Sequence, residues 1–253
     1  MKTYEMVFSP TGGTKKVAAL LTGAWTDRAM SVDLTDGKAD FHGVALTPED
    51  MAVIAVPSYG GRVPAPAVKR LAAIQGGGAR AVLVCVYGNR AYEDTLVELL
   101  DAAKQAGFRV IAAVAAVAEH SIAHQFATGR PDAQDAEQLV AFAGQIRGKM
   151  AANDLSEPVV PGNRPYKKAG GAGMVPRPTK ACMQCGVCAK ACPVQAIDAK
   201  DAQKVDGSAC ISCMRCVAVC PHSARRVNPV MLSAVGLALK KACSTRKACE
   251  LFL

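Results

Sequence analysis

The sequence predicts an α/β domain built on a doubly wound, five-stranded parallel sheet, followed by a small α+β domain organised by cysteines. Three observations carry this. Apolar, strand-like runs alternate with helix-like segments through residues 1–150. Prolines and glycines then crowd residues 151–176. After them, one four-cysteine pattern is written twice.

The first strand, Lys2 to Phe8, alternates polar and apolar residues and stops at Ser9-Pro10-Thr11-Gly12-Gly13-Thr14, after which Val17 to Leu21 begins a helix. A loop that opens into a helix N-terminus offers unpaired N–H groups and the positive end of the helix dipole, which suits a phosphate. The hydroxyls of Ser9, Thr11 and Thr14 add polar groups, and Gly12 and Gly13 let the backbone approach closely. Neither a G-x-G-x-x-G fingerprint nor a Walker A lysine motif occurs in this loop, so the expected anion is a mononucleotide phosphate.

Further strands are expected near 31–34, 51–57, 80–87 and 108–117, with helices near 64–75, 92–106 and 132–149. Met51 to Val56 and Ala81 to Val86 are continuously apolar, the mark of strands buried on both faces of a parallel sheet. Such sheets bind ligands outside the carboxyl ends of their strands. There Ser58, Tyr59, Gly60 and Gly61 follow the third strand, and Tyr87, Gly88, Asn89 and Tyr92 the fourth. The tyrosines can stack on a flat ring.

Together with the first loop, these segments resemble the flavodoxin family over residues 1–150. The resemblance implies bound FMN. Its phosphate would be held by Ser9, Thr11, Gly12, Gly13 and Thr14, and its ring lined by Ser58, Tyr59, Gly60, Gly61, Tyr87, Gly88, Asn89 and Tyr92. Flavodoxins often set a tryptophan against the ring; the only one here, Trp25, falls at the end of the first helix.

Residues 151–176 read as a linker, extended at its prolines and flexible at Gly170-Gly171-Ala172-Gly173. Beyond it, Cys182, Cys185, Cys188 and Cys192 precede Pro193, and Cys210, Cys213, Cys216 and Cys220 precede Pro221, each 28 residues after its counterpart. This is the run that binds two [4Fe-4S] clusters, in which the cysteine before proline ligates the other cluster. One cluster is therefore assigned to Cys182, Cys185, Cys188 and Cys220, and the second to Cys210, Cys213, Cys216 and Cys192. Zinc prefers two separated C-x2-C pairs and leaves half of these cysteines without a purpose. Disulfides need an oxidising compartment.

Residues 177–228 resemble a two-cluster bacterial ferredoxin, with a more polar segment after Pro221 than after Pro193. The order of units resembles the flavodoxin-ferredoxin fusion family. Residues 229–253 are expected to form an amphipathic helix, Met231 to Lys241, that packs on its own chain, and a tail.

The formal charge of +9 is not spread along the chain. Residues 1–150 hold 15 Lys+Arg and 15 Asp+Glu, whereas residues 151–253 hold 15 and 6. The excess lies beside the cysteines, where two all-thiolate clusters of about −2 each offset part of it. No nucleic-acid motif accompanies it. No apolar run reaches the ~18 residues of a membrane span. The start, with Glu5 ahead of any apolar run, lacks a signal-peptide core, so a cytoplasmic location is expected.

Cys85, within an apolar strand, reads as core. Cys243 and Cys249 lack ligand spacing, His120 and His124 have no further ligands beside them, and His222 reads as a surface residue. The expected function is electron transfer between two [4Fe-4S] clusters and FMN, as a low-potential carrier or oxidoreductase with redox partner proteins. The alternatives are a flavin-free binding or sensing module wired to a ferredoxin, and a reductase of a small organic substrate. No acid, base or nucleophile constellation marks a separate reaction.

Overall fold

The computed structural model describes residues 2–170 and 173–253; Gly171 and Ala172, within the expected flexible stretch, lie outside the described residues. The first part of the chain alternates strands and helices: β1 (Thr3–Val7), α1 (Gly13–Gly23), β2 (Met30–Asp33), β3 (Met51–Pro57), α2 (Ala65–Leu71), β4 (Arg80–Tyr87), α3 (Thr95–Gln105), β5 (Arg109–Val117) and α4 (Ala133–Ala151). The sheet order is β2-β1-β3-β4-β5, all parallel. This is the doubly wound flavodoxin-like order.

Continuous apolar runs form β3 and β4 because both of their faces are covered. On one face Met6, Ile54, Leu83 and Cys85 pack with Leu71 of α2 and Leu96 and Leu99 of α3. On the other, Val53, Val82 and Val84 meet Val17 and Leu21 of α1 and Leu139 and Ile146 of α4. Cys85 is fully buried, as expected of a core residue. Trp25 braces this second layer, its indole Nε1–H donating to the Ala143 carbonyl at 2.9 Å.

The second part of the chain is compactly built from β6 (Arg177–Pro178), α5 (Val187–Lys190), α6 (Arg215–Ala218) and β7 (Arg225–Arg226), with β6 and β7 antiparallel. The sequence repeat is also a backbone repeat. Gln184 and Ser212 are left-handed at φ 52° and 53°, Gly186 and Met214 at 73° and 59°, and Gln195 and Ser223 at 52° and 47°. Each pair lies 28 residues apart.

The chain then returns to the first domain. Helix α7 (Pro229–Cys243), capped by the Asn228 side chain, turns Val235 and Leu239 inward, and β8 (Glu250–Phe252) pairs antiparallel with Ala113–Ala115 of β5. The five parallel strands thereby gain a sixth, antiparallel edge. Among the described residues no helix is long and apolar enough to cross a membrane.

The linker is bound along the surface of α3. Asp94 accepts hydrogen bonds from the Asn163 amide at 2.9 Å, the Asn163 side chain at 3.0 Å and the Lys167 amide at 2.7 Å. Asp101 accepts from Arg164 Nε at 2.8 Å and Nη2 at 2.6 Å, and from the Tyr166 hydroxyl. Val160 packs against the core of the first domain.

Candidate functional site

The carboxyl ends of β1, β3, β4 and β5 surround a cavity of about 420 Å³. At one end lie Thr11, Gly13 and Thr14. Gly12 is the N-cap of α1 at φ 94°, a left-handed conformation that glycine adopts without strain, and it provides no side-chain cap. Of the first turn of α1, Gly13 and Thr14 line the cavity. Ser9 is spent inside the loop, its hydroxyl accepting the Lys15 amide at 3.0 Å.

Ser58, Tyr59 and Gly60 form one wall and Tyr87 and Gly88 another. Ser58 shares a 2.7 Å hydrogen bond with the Thr95 hydroxyl. Gly88 has a specific reason to lack a side chain, since a Cβ there would meet the His120 ring at 2.5 Å. Burial pushes the Tyr59 hydroxyl well above its ordinary pKa, and the nearby Cys213 adds to the shift.

Three of the residues expected around the ring do not line the cavity. Gly61 is buried beneath the Glu93 side chain. Asn89, left-handed at φ 64°, donates through its side-chain amide to the carbonyls of Cys243 at 3.0 Å and Thr245 at 2.9 Å and accepts from the Lys247 amide at 3.1 Å. Tyr92 stands edge-on to Tyr87, with ring centroids 5.2 Å apart, and its hydroxyl donates to Glu250 at 3.2 Å. Asn89 and Tyr92 thus anchor the returning C-terminal segment. Their local sequence carries no sign of it, because the partners lie more than 150 residues away.

Other residues were not legible as part of this site. His120 lines the cavity, and its Nδ1 accepts the amides of Ile122 at 3.2 Å and Ala123 at 3.1 Å. The neutral ring therefore carries its proton on Nε2. Burial lowers the His120 pKa, which favours that neutral form. Lys167 and Lys168 come from the linker, Val235 and Leu239 from α7, and Ile211 and Ser212 from between Cys210 and Cys213. Only the last pair had a sequence signal, their place inside the cysteine repeat.

The eight repeat cysteines surround two smaller cavities. Cys182, Cys185, Cys188 and Cys220 line one. Cys192, Cys210, Cys213 and Cys216 line the other. The pre-proline cysteines are held alike: Cys192 Sγ accepts the Ala196 amide at 3.3 Å and Cys220 Sγ the Ala224 amide at 3.2 Å. Burial pushes the thiols of Cys213 and Cys216 up to about 11 and about 12. That burial favours the neutral thiol, so thiolates there would need a compensating positive centre, which the iron of a cluster would supply. Four cysteines around one cavity match in number the four thiolates that a [4Fe-4S] cluster would take.

The two parts of the chain touch directly. Arg70 donates to the Leu34 carbonyl at 2.6 Å and, through its other terminal nitrogen, to the Pro193 carbonyl. Arg215 donates to the Pro10 carbonyl at 3.1 Å.

A family model described as "4Fe-4S dicluster domain" matches residues 181–224. A search of curated proteins found no match. Among solved structures, the solution structure of two-electron reduced Megasphaera elsdenii flavodoxin aligns at 18% identity and a TM-score of 0.39, covering 56% of this chain and 98% of that one. The strand order of the sheet independently gives the flavodoxin-like class. The chain thus joins a sheet of flavodoxin-like strand order to a segment, residues 181–224, that is similar to 4Fe-4S dicluster domains.

Proposed function

We propose that the chain moves electrons between two [4Fe-4S] clusters and an FMN seated in the 420 Å³ cavity. Cys182, Cys185, Cys188 and Cys220 hold the outer cluster, and Cys192, Cys210, Cys213 and Cys216 the inner one. The observation that carries this reading is the position of Ile211 and Ser212, which lie between two inner-cluster cysteines and also form the wall of the cavity. FMN can hold one or two electrons and so converts one-electron traffic into two-electron chemistry.

The residues of the chain bind, orient and shield. The Gly13 and Thr14 amides at the start of α1 and the hydroxyls of Thr11 and Thr14 suit a phosphate. Tyr59 and Tyr87 offer aromatic walls for the ring. Met174, Val235 and Leu239 bring apolar surface to the cavity and exclude water. Arg70 and Arg215 keep the inner cysteine loop against the first domain.

Iron, sulfide and flavin assays on anaerobically purified protein test the composition, with two clusters and one FMN per chain expected. Flavin reduction by reduced clusters in a stopped-flow instrument tests the transfer. Full cluster occupancy without FMN binding would replace this reading with a flavin-free binding module.

Thr14→Val is expected to weaken FMN binding by about 1.5–3 kcal/mol, the worth of a hydrogen bond to a charged group, or roughly 10- to 150-fold in Kd. Ser9→Ala acts only through the loop, because its hydroxyl is engaged with Lys15, and is expected to cost less. Fluorescence titration of apoprotein with FMN gives both values. Equal affinities for wild type and Thr14→Val would place the phosphate elsewhere.

A further inference from the structure

The two cysteine loops share one backbone pattern and sit in opposite surroundings. In the second loop Ile211 packs against the core of the first domain, and Ser212 and Cys213 are only 6% and 8% exposed. Their counterparts 28 residues earlier, Met183, Gln184 and Cys185, all face solvent, with Met183 71% exposed. An apolar side chain between two cluster ligands is thus covered by a domain in one copy and bare in the other. A pathway that ends at the cavity needs an outer end, and this bare loop is the equivalent surface.

The rim of the bare loop is basic. Strands β6 and β7 set Arg177 opposite Arg226, both exposed, and Arg225 lines the cavity of the first cysteine set. The Thr179 amide bonds to the Ala224 carbonyl at 2.8 Å, which places the exposed Lys180 at the same edge. No Asp or Glu occurs from Met174 to Ile197 or from Gly207 to Cys249. An exposed apolar centre within a basic rim complements an acidic protein surface.

We infer that the loop from Cys182 to Cys188, with Met183 at its centre and Arg177, Lys180 and Arg226 around it, docks an acidic one-electron carrier protein. This rests on the electron-transfer reading above. In the docked complex the carrier's reduced centre loses one electron and the outer cluster gains it, with no bond made or broken and no proton moved.

The test uses the holoprotein and, as probe, a strongly acidic plant-type [2Fe-2S] ferredoxin at low ionic strength. The double variant Lys180→Glu/Arg226→Glu is compared with Lys240→Glu/Lys241→Glu, a reversal of equal size at the exposed end of α7. Calorimetry with the oxidised carrier measures docking, and stopped-flow bleaching of the clusters measures delivery. The first variant is expected to weaken binding and slow cluster reduction by about tenfold or more, the scale of electrostatic steering, while the second changes either by less than about twofold. Both should keep wild-type cluster absorbance and be reduced by a zwitterionic viologen radical at the wild-type rate.

Loss of binding in the α7 variant alone would overturn the inference. So would failure of the wild type to bind the acidic carrier, or self-association through Arg226 and Lys180 in its place. Flavin bleaching is followed at a separate wavelength. Clusters that fill from the carrier without passing electrons to flavin would count against the intramolecular reading and leave the docking surface standing.

Discussion

Cys192→Ala is expected to remove the inner cluster and leave the outer one in place. Cys192 follows the first three cysteines in sequence but lines the cavity of Cys210, Cys213 and Cys216, whereas Cys220 lines that of Cys182, Cys185 and Cys188. The protein should retain about half of its iron and sulfide, since each cluster needs four thiolates. Its reduced form should lose the spin–spin coupling between clusters in electron paramagnetic resonance. Because Ile211 and Ser212 belong to the inner loop, flavin reduction through the protein should fall with that cluster. Cys220→Ala is the mirror experiment: it should spare the inner cluster and block entry at the outer one. Loss of the outer cluster in Cys192→Ala would overturn the ligand assignment, and unchanged flavin reduction would separate the clusters from the cavity.

The legible features of this chain are those whose determinants are local. Each copy of the repeat sets three cysteines within seven residues, so the spacing survives in the sequence. The strands β3 and β4 are legible because burial on both faces demands an unbroken apolar run. The loop after β1 is legible because Gly12 must reverse the backbone at φ 94° just before the helix. Long-range partners leave no such trace. Strand β8 is three residues long and exists because Ala113–Ala115 offers it an edge. Asn89 sits in a segment that reads as flavin-binding, yet its side chain serves Cys243, Thr245 and Lys247. The prolines between residues 151 and 176 suggest a tether, and two carboxylates of α3 and its cap turn it into a bound strap.

That strap yields the last prediction. Asp94, 2% exposed, accepts three hydrogen bonds from the linker, at 2.9, 3.0 and 2.7 Å. The Lys167 amide, with Asn163, holds its carboxyl below the usual carboxylate range against the opposing effect of burial. A depressed pKa contributes stability that is present above the unfolded value of about 3.9 and is lost as pH falls through the folded value. The strap should therefore be insensitive to pH near neutrality and detach in acid below about pH 4. Asp94→Ala should release it at pH 7. The freed linker groups can turn to water, so the expected loss is about that of a single charge-assisted hydrogen bond, 1.5–3 kcal/mol, and not the sum of three. Since Lys167 and Lys168 also line the cavity proposed for FMN, trypsin should cut there roughly 10- to 150-fold faster and FMN should dissociate more readily. The contacts of Arg70 with Pro193 and of Arg215 with Pro10 do not involve the strap, so cluster content should be unchanged. Wild-type cleavage in Asp94→Ala would show that the linker is held by its stiff prolines alone, while loss of clusters along with the strap would show that residues 157–167 hold the second domain in place.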